Sequence, residues 1–173
     1  MIKISVDPGD ENYIPDIQFW LDRVPPKHTI DLSAIYLLND KAMSNVVTNF
    51  YPSYPHPENV NGLVSDGSIL LRKREDRASV EATFYHEVGH LLFSKKDPFQ
   101  RRMCSGDLFN IWERFVGRFS YYYDAAYAND SEEIFARVFS FYMMVTGGKV
   151  KGIIDLPEIT TWAMGIMEKI FSN

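Results

Sequence analysis

The residues best able to do chemistry are gathered at His86-Glu87-Val88-Gly89-His90. On a helix of about 3.6 residues per turn the two histidines share one face a turn apart, so both imidazoles can reach one metal ion. Glu87 projects about 60° beyond His90 and would flank such an ion without ligating it, a position from which a carboxylate can hold and deprotonate a metal-bound water. Zinc is the expected ion. It accepts His and carboxylate ligands in a tetrahedral set and, with three protein ligands, leaves a fourth position for a water whose pKa falls to about 7. With 4 His and 10 Glu in 173 residues, the pattern should arise by chance in roughly one such chain in 200. Its setting adds weight, because Phe84, Tyr85, Val88, Leu91, Leu92 and Phe93 make the segment apolar, and polar side chains there need a purpose. Gly89 costs about 1 kcal/mol relative to Ala inside a helix, which points to a close neighbour.

A third ligand is needed. No histidine follows His90, and Lys96 stands where an extended motif would carry a third one, so a carboxylate is expected. The segment Asp130-Ser131-Glu132-Glu133-Ile134-Phe135-Ala136-Arg137 offers two at the start of an apolar helix. Glu133 is preferred, because Ala136, one turn on, is small enough to let this helix approach the first. Glu132, Glu113, Asp107 and Asp124 are the alternatives. A purely structural role for Glu133 is the N3 glutamate of a capping box with Asp130, worth about 1 kcal/mol.

The elements that must position these groups read as an α+β plan. Asp16 to Val24 suggests a short helix stopped by Pro25-Pro26, and Ile30 to Leu38 a strand turned by Asn39-Asp40. Three prolines between Tyr51 and Pro57 require a surface loop. Asn61 to Ser65 and Ser68 to Lys73 read as a hairpin around Asp66-Gly67, an element able to offer an edge strand to an extended peptide. Helical periodicity then runs from Arg77 to Phe93 and is broken at Lys96-Asp97-Pro98. The remainder reads as helical: Asp107 caps a segment through Phe119, Asp130 or Ser131 caps Glu132 to Val145 ahead of Gly147-Gly148, and Pro157 opens a last helix. Without repeats, low-complexity tracts or linkers, residues 1–173 are expected to form a single domain.

Composition narrows the function classes. A net charge of -5 and 46% hydrophobic residues leave no cationic field for nucleic acid, and Arg72-Lys73-Arg74 and Arg101-Arg102 read as solvated faces. The most apolar segment, Ile134 to Val145, is interrupted by Arg137 and shorter than the ~20 residues that span a bilayer, so no membrane is expected. Cys104 is the single cysteine and reads as a small buried hydrophobe. His28 and His56 read as exposed loop histidines. With no signal-peptide pattern at the N-terminus, a cytoplasmic monomer acting on a peptide or protein is the expectation.

The motif, followed some forty residues later by Tyr127-Ala128-Asn129-Asp130-Ser131-Glu132-Glu133-Ile134-Phe135-Ala136, resembles the catalytic domain of anthrax lethal factor and the clostridial Pro-Pro endopeptidases. That resemblance covers most of the chain in layout and about fifteen residues in motif. It implies a zincin-like fold and zinc-dependent peptide hydrolysis of the gluzincin type. His86, His90 and Glu133 match the ligands and Glu87 the general base. Tyr127 matches a tyrosine that stabilises the oxyanion, although it stands six residues before the third ligand where the family pattern usually has seven, and Tyr123 is the next candidate. Two other readings compete: a regulatory peptidase similar to the ImmA-type enzymes that cut phage repressors, which would favour Glu113 as third ligand, and a non-catalytic zinc-binding module.

Overall fold

The structure, a computed structural model, describes residues 2–96, 100, 106–110, 130–147 and 157–171. The chain divides into two compact units, Met1–Leu91 and Leu92–Asn173. The first contains strands β1 (Lys3–Val6), β2 (Ala34–Leu38), β3 (Gly62–Ser65) and β4 (Ser68–Arg72), and helices α1 (Ile14–Arg23) and α2 (Asp40–Phe50). Helix α3 (Arg77–Lys95) begins in it and carries the motif.

The four strands form one sheet in the order β1-β2-β4-β3, with β1–β2 and β2–β4 parallel and β3–β4 antiparallel, so the expected α+β plan with a small mixed sheet holds. Ile35 lies opposite Ile69 and Leu37 opposite Leu71, and all four are at most 1% exposed. Two central strands buried this fully supply the hydrophobic stabilisation that a half-solvated hairpin lacks. The hairpin turn is as expected: Asp66 (φ 46°) and Gly67 (φ 71°) both take left-handed backbone, the combination that matches the twist of paired strands. Gly67 is needed for a second reason, because a Cβ there would stand 2.7 Å from the Asp31 carbonyl oxygen.

Four expectations are corrected in this unit. The strand read from Ile30 begins only at Ala34, and Ile30 itself is 76% exposed. The strand ends at Leu38 as expected, but Asn39-Asp40 opens a helix there instead of a turn: the Asn39 side chain accepts from the Ala42 N–H at 2.9 Å, and Met43 and Val47, one turn apart, are the buried stripe of α2. His28 is buried, whereas His56 is exposed as expected.

Arg72 also departs from the solvated role read for its charge run. It is 2% exposed and donates from Nε to the Val60 carbonyl (2.7 Å), from Nη2 to that of Pro57 (2.7 Å), and from Nη1 to the Asp40 carbonyl (3.1 Å) and carboxylate (2.9 Å). A planar fork of donors can satisfy several acceptors at once. The arm entering β3 is thereby tied to β4 and to the first turn of α2.

Helix α3 is held at both its start and its middle. Asp76 accepts from the Ala78 N–H at 3.0 Å and from the Ser79 hydroxyl at 2.6 Å, and the Ser79 bond is the main cause holding its carboxyl below the ordinary value of 3.8. A depressed folded pKa means that the stabilisation is complete above the unfolded value and is lost as pH falls through the folded one. Asp76→Ala is therefore expected to cost about 1 kcal/mol at neutral pH, with the difference from wild type shrinking below pH 3.8; urea unfolding at pH 7 and pH 3 checks it.

In the second unit, residues 106–110 are helical, followed by α4 (Ser131–Thr146) and α5 (Pro157–Phe171). Asp130 caps α4 as expected, accepting from the N–H groups of Glu132 (2.9 Å) and Glu133 (3.4 Å), and Pro157 opens α5. Phe171 packs its ring against those of Phe135, Phe139 and Tyr142, with centroids 5.0–5.5 Å away, joining α5 to α4. Among the described residues no helix is long and apolar enough to cross a membrane. Cys104, Glu113, Tyr121 to Tyr123, Asp124, Tyr127 and most of the helix read from Asp107 to Phe119 lie outside the described residues.

Candidate metal centre

Helix α3 is apolar over most of its surface, with Val80, Phe84, Tyr85, Val88, Leu91, Leu92 and Phe93 all buried. Such a helix is anchored on several sides, and Trp20 of α1 meets Phe84 with ring centroids 6.3 Å apart. Its two buried carboxylates, Glu81 and Glu87, are 1% and 5% exposed. Arg23 donates to Glu81 at 3.0 Å and the Tyr85 hydroxyl donates to the same oxygen at 3.4 Å. Burial pushes the Tyr85 hydroxyl well above its usual pKa, so it remains a donor throughout the physiological range. Glu81 is thus accounted for as a structural anchor between α1 and α3. Nothing in the sequence pointed to this pair, whose members are 58 residues apart.

His86 and His90 are half-buried and lie one turn apart on α3, with rings nearly perpendicular and Nε2 atoms 3.1 Å from each other. Two nitrogens bound to one tetrahedral zinc at its usual bond length stand about 3.3 Å apart. The same separation also fits a hydrogen bond in which one neutral ring donates to the other. Among the described residues, one group of His, Cys, Asp or Glu could hold a metal ion: His86, His90 and Glu133, whose ligand atoms lie within 4.8 Å of one another.

Glu133 is half-buried in the first turn of α4, where the helix dipole favours its negative charge, and its carboxylate is 3.6 Å from Arg137 one turn on. Glu132, the neighbouring alternative, is exposed, as is Asp107. The donor set is chemically suited to zinc: two neutral imidazoles and one carboxylate bind a borderline-soft dication and leave a fourth tetrahedral position for a non-protein ligand. Glu87 stands beside this set in sequence and is buried, whereas both histidines are half-buried.

No protein-family model matches the chain, and no curated protein matches it.

Proposed function

We propose that the protein is a zinc-dependent metalloendopeptidase with a zincin-like fold of the gluzincin type, similar to the lethal factor catalytic domain and the Pro-Pro endopeptidases. The observation that carries this reading is the pair His86 and His90, Nε2 atoms 3.1 Å apart on a helix that also buries Glu87, with Glu133 completing a group that could hold a metal ion. Bound zinc would supply a Lewis acid that acidifies water and polarises a carbonyl. Glu87 accepts a proton from the attacking water and returns it to the nitrogen of the departing amine. Tyr127, or Tyr123 in its place, donates a hydrogen bond to the developing oxyanion.

The sheet supports a peptide as substrate. Strand β3 ends the sheet order, and the Arg72 N–H donates to the Asn61 carbonyl at 2.7 Å. In antiparallel pairing the hydrogen-bonding groups alternate in direction, so those of Gly62 and Val64 point away from β4. An extended peptide adding a strand there gains affinity through its main chain, whatever its side chains.

Metal analysis tests the reading. Protein purified without chelator is expected to carry close to one zinc per chain, with the metal lost or much weakened in both His90→Ala and Glu133→Ala. A wild-type chain that binds no zinc after reconstitution removes the enzyme and leaves a hydrogen-bonded histidine pair. Loss with Glu113→Ala in place of Glu133→Ala favours the regulatory-peptidase arrangement.

A further inference from the structure

Gly62 is the first residue of β3, and what it faces is on α3. A Cβ built on it would meet Glu87 Oε1 at 2.5 Å, Thr83 Cγ2 at 2.7 Å and Glu87 Cγ at 2.8 Å. Separations under 3.0 Å are not tolerated between such atoms, so the strand backbone lies this close to the helix only because residue 62 has no side chain. Both facing residues are constrained. Thr83 donates its hydroxyl to the Ser79 carbonyl at 2.9 Å, which fixes the rotamer that aims its methyl at Gly62. Glu87 is 5% exposed, so its carboxylate has little room into which to retreat.

The approach of β3 is itself held. Arg72 fixes the carbonyls of Pro57 and Val60, and Arg74 donates to the Asn61 side chain at 2.8 Å and 3.2 Å. The strand start is therefore tethered immediately before Gly62 and paired with Leu71 at it.

We infer that Gly62 is a positioning residue for Glu87: the bare backbone of β3 forms one wall of the slot that sets where the Glu87 carboxylate lies, and any side chain at position 62 displaces it. This rests on the reading of Glu87 as the proton-transfer group of a metallopeptidase. Pressure on a carboxylate that must meet a water within hydrogen-bond reach lowers the rate of the proton-transfer step and leaves peptide binding along β3 much less affected.

The experiment compares wild type, Gly62→Ala, Glu87→Ala and the double variant in zinc content, in thermal unfolding and, for the first two, in turnover of a peptide found by library screening with the wild type. Gly62→Ala is expected to keep about one zinc per chain, to lose roughly 10–100-fold in kcat with KM changed less than about threefold, and to unfold roughly 4–8 °C lower. In the Glu87→Ala background the contacts with Glu87 are gone and only that with Thr83 remains, so the shift caused by the added methyl becomes clearly smaller.

Equal shifts in the two backgrounds, or a wild-type kcat in Gly62→Ala, overturn the positioning role. A wild type that binds zinc and cleaves no peptide, with the coupling present, overturns the peptidase reading and reduces Gly62 to a packing partner of Glu87. Thr83→Ser keeps the hydroxyl and removes the methyl, so Gly62→Ala/Thr83→Ser separates the two contacts. It is expected to recover part of the unfolding shift while kcat stays low, and recovery of kcat as well would assign the effect to Thr83 and overturn the role for Glu87.

Discussion

A Glu87→Gln chain is expected to bind zinc as the wild type does and to cleave peptide about 10²–10⁴-fold more slowly, the range that a positioned acid–base group contributes. The substitution keeps the size of the side chain, which matters at a residue 5% exposed, and alters only what its end can do. An amide neither takes a proton from water near neutral pH nor delivers one to a departing amine. The histidines and Glu133 are untouched, so metal stoichiometry separates lost chemistry from a lost site. Because the proton moves in the transition state, kcat and kcat/KM should fall together while KM stays near its wild-type value. Single-turnover cleavage alongside metal analysis checks this, and wild-type rates in a metal-replete variant would remove Glu87 from the mechanism.

The largest effect on stability is expected at Arg72. Arg72→Met should cost about 2–3 kcal/mol, since it leaves part-buried acceptors without their donor. The carbonyls of Pro57 and Val60 each lose a 2.7 Å bond. The partner carboxylate of Asp40 is 71% exposed, so the ion pair is screened by solvent and contributes the smaller share. Consistent with that geometry, the Arg72 guanidinium is the first cause of the lowered Asp40 pKa, with Arg74 adding to it. Arg72→Lys should recover little, because a compact ammonium on a flexible stem cannot span acceptors arranged for a planar fork. Urea unfolding at neutral pH measures both variants, and a cost below about 1 kcal/mol for Arg72→Met would show that these bonds are replaced by water.

The parts of the fold that were legible in the sequence are those whose cause is local. Asp66-Gly67 demands left-handed backbone, Asp130 is a capping side chain followed by an apolar run, and Pro25 and Pro157 punctuate helices for reasons contained in one residue. The pair His86 and His90 is legible for the same reason, a fixed spacing on one helix. What escaped depends on partners far away in the chain. Strand β1 has only four residues, half-buried at most of them, and its periodicity is too short to stand out. Helix α2 carries Val46, Val47 and Thr48 and keeps a single buried pair, so β-branched content masks a helix that its Asn39 cap and its packing select. Arg72 sits in a run of three cations, and only the fold reveals that the first of them turns inward while Arg74 stays half-exposed. Gly62, unremarkable between Asn61 and Leu63, acquires meaning only once α3 is seen against it.

The Arg72 fork also partitions the proline-rich stretch before β3 by how much of its length is negotiable. Between Pro57 and Asn61 the carbonyls of Pro57 and Val60 and the Asn61 side chain are held by guanidinium groups, and the Asn59 and Val60 N–H groups by neighbouring carbonyls, so one residue more or fewer would carry β3 out of line with Glu87. From Pro52 to His56 the chain is exposed, and its internal bond from the Tyr54 N–H to the Tyr51 carbonyl closes only a local bend. That arc is where foreign sequence can be grafted, an epitope or a longer aromatic segment for a different peptide, with the strand it leads into kept in register.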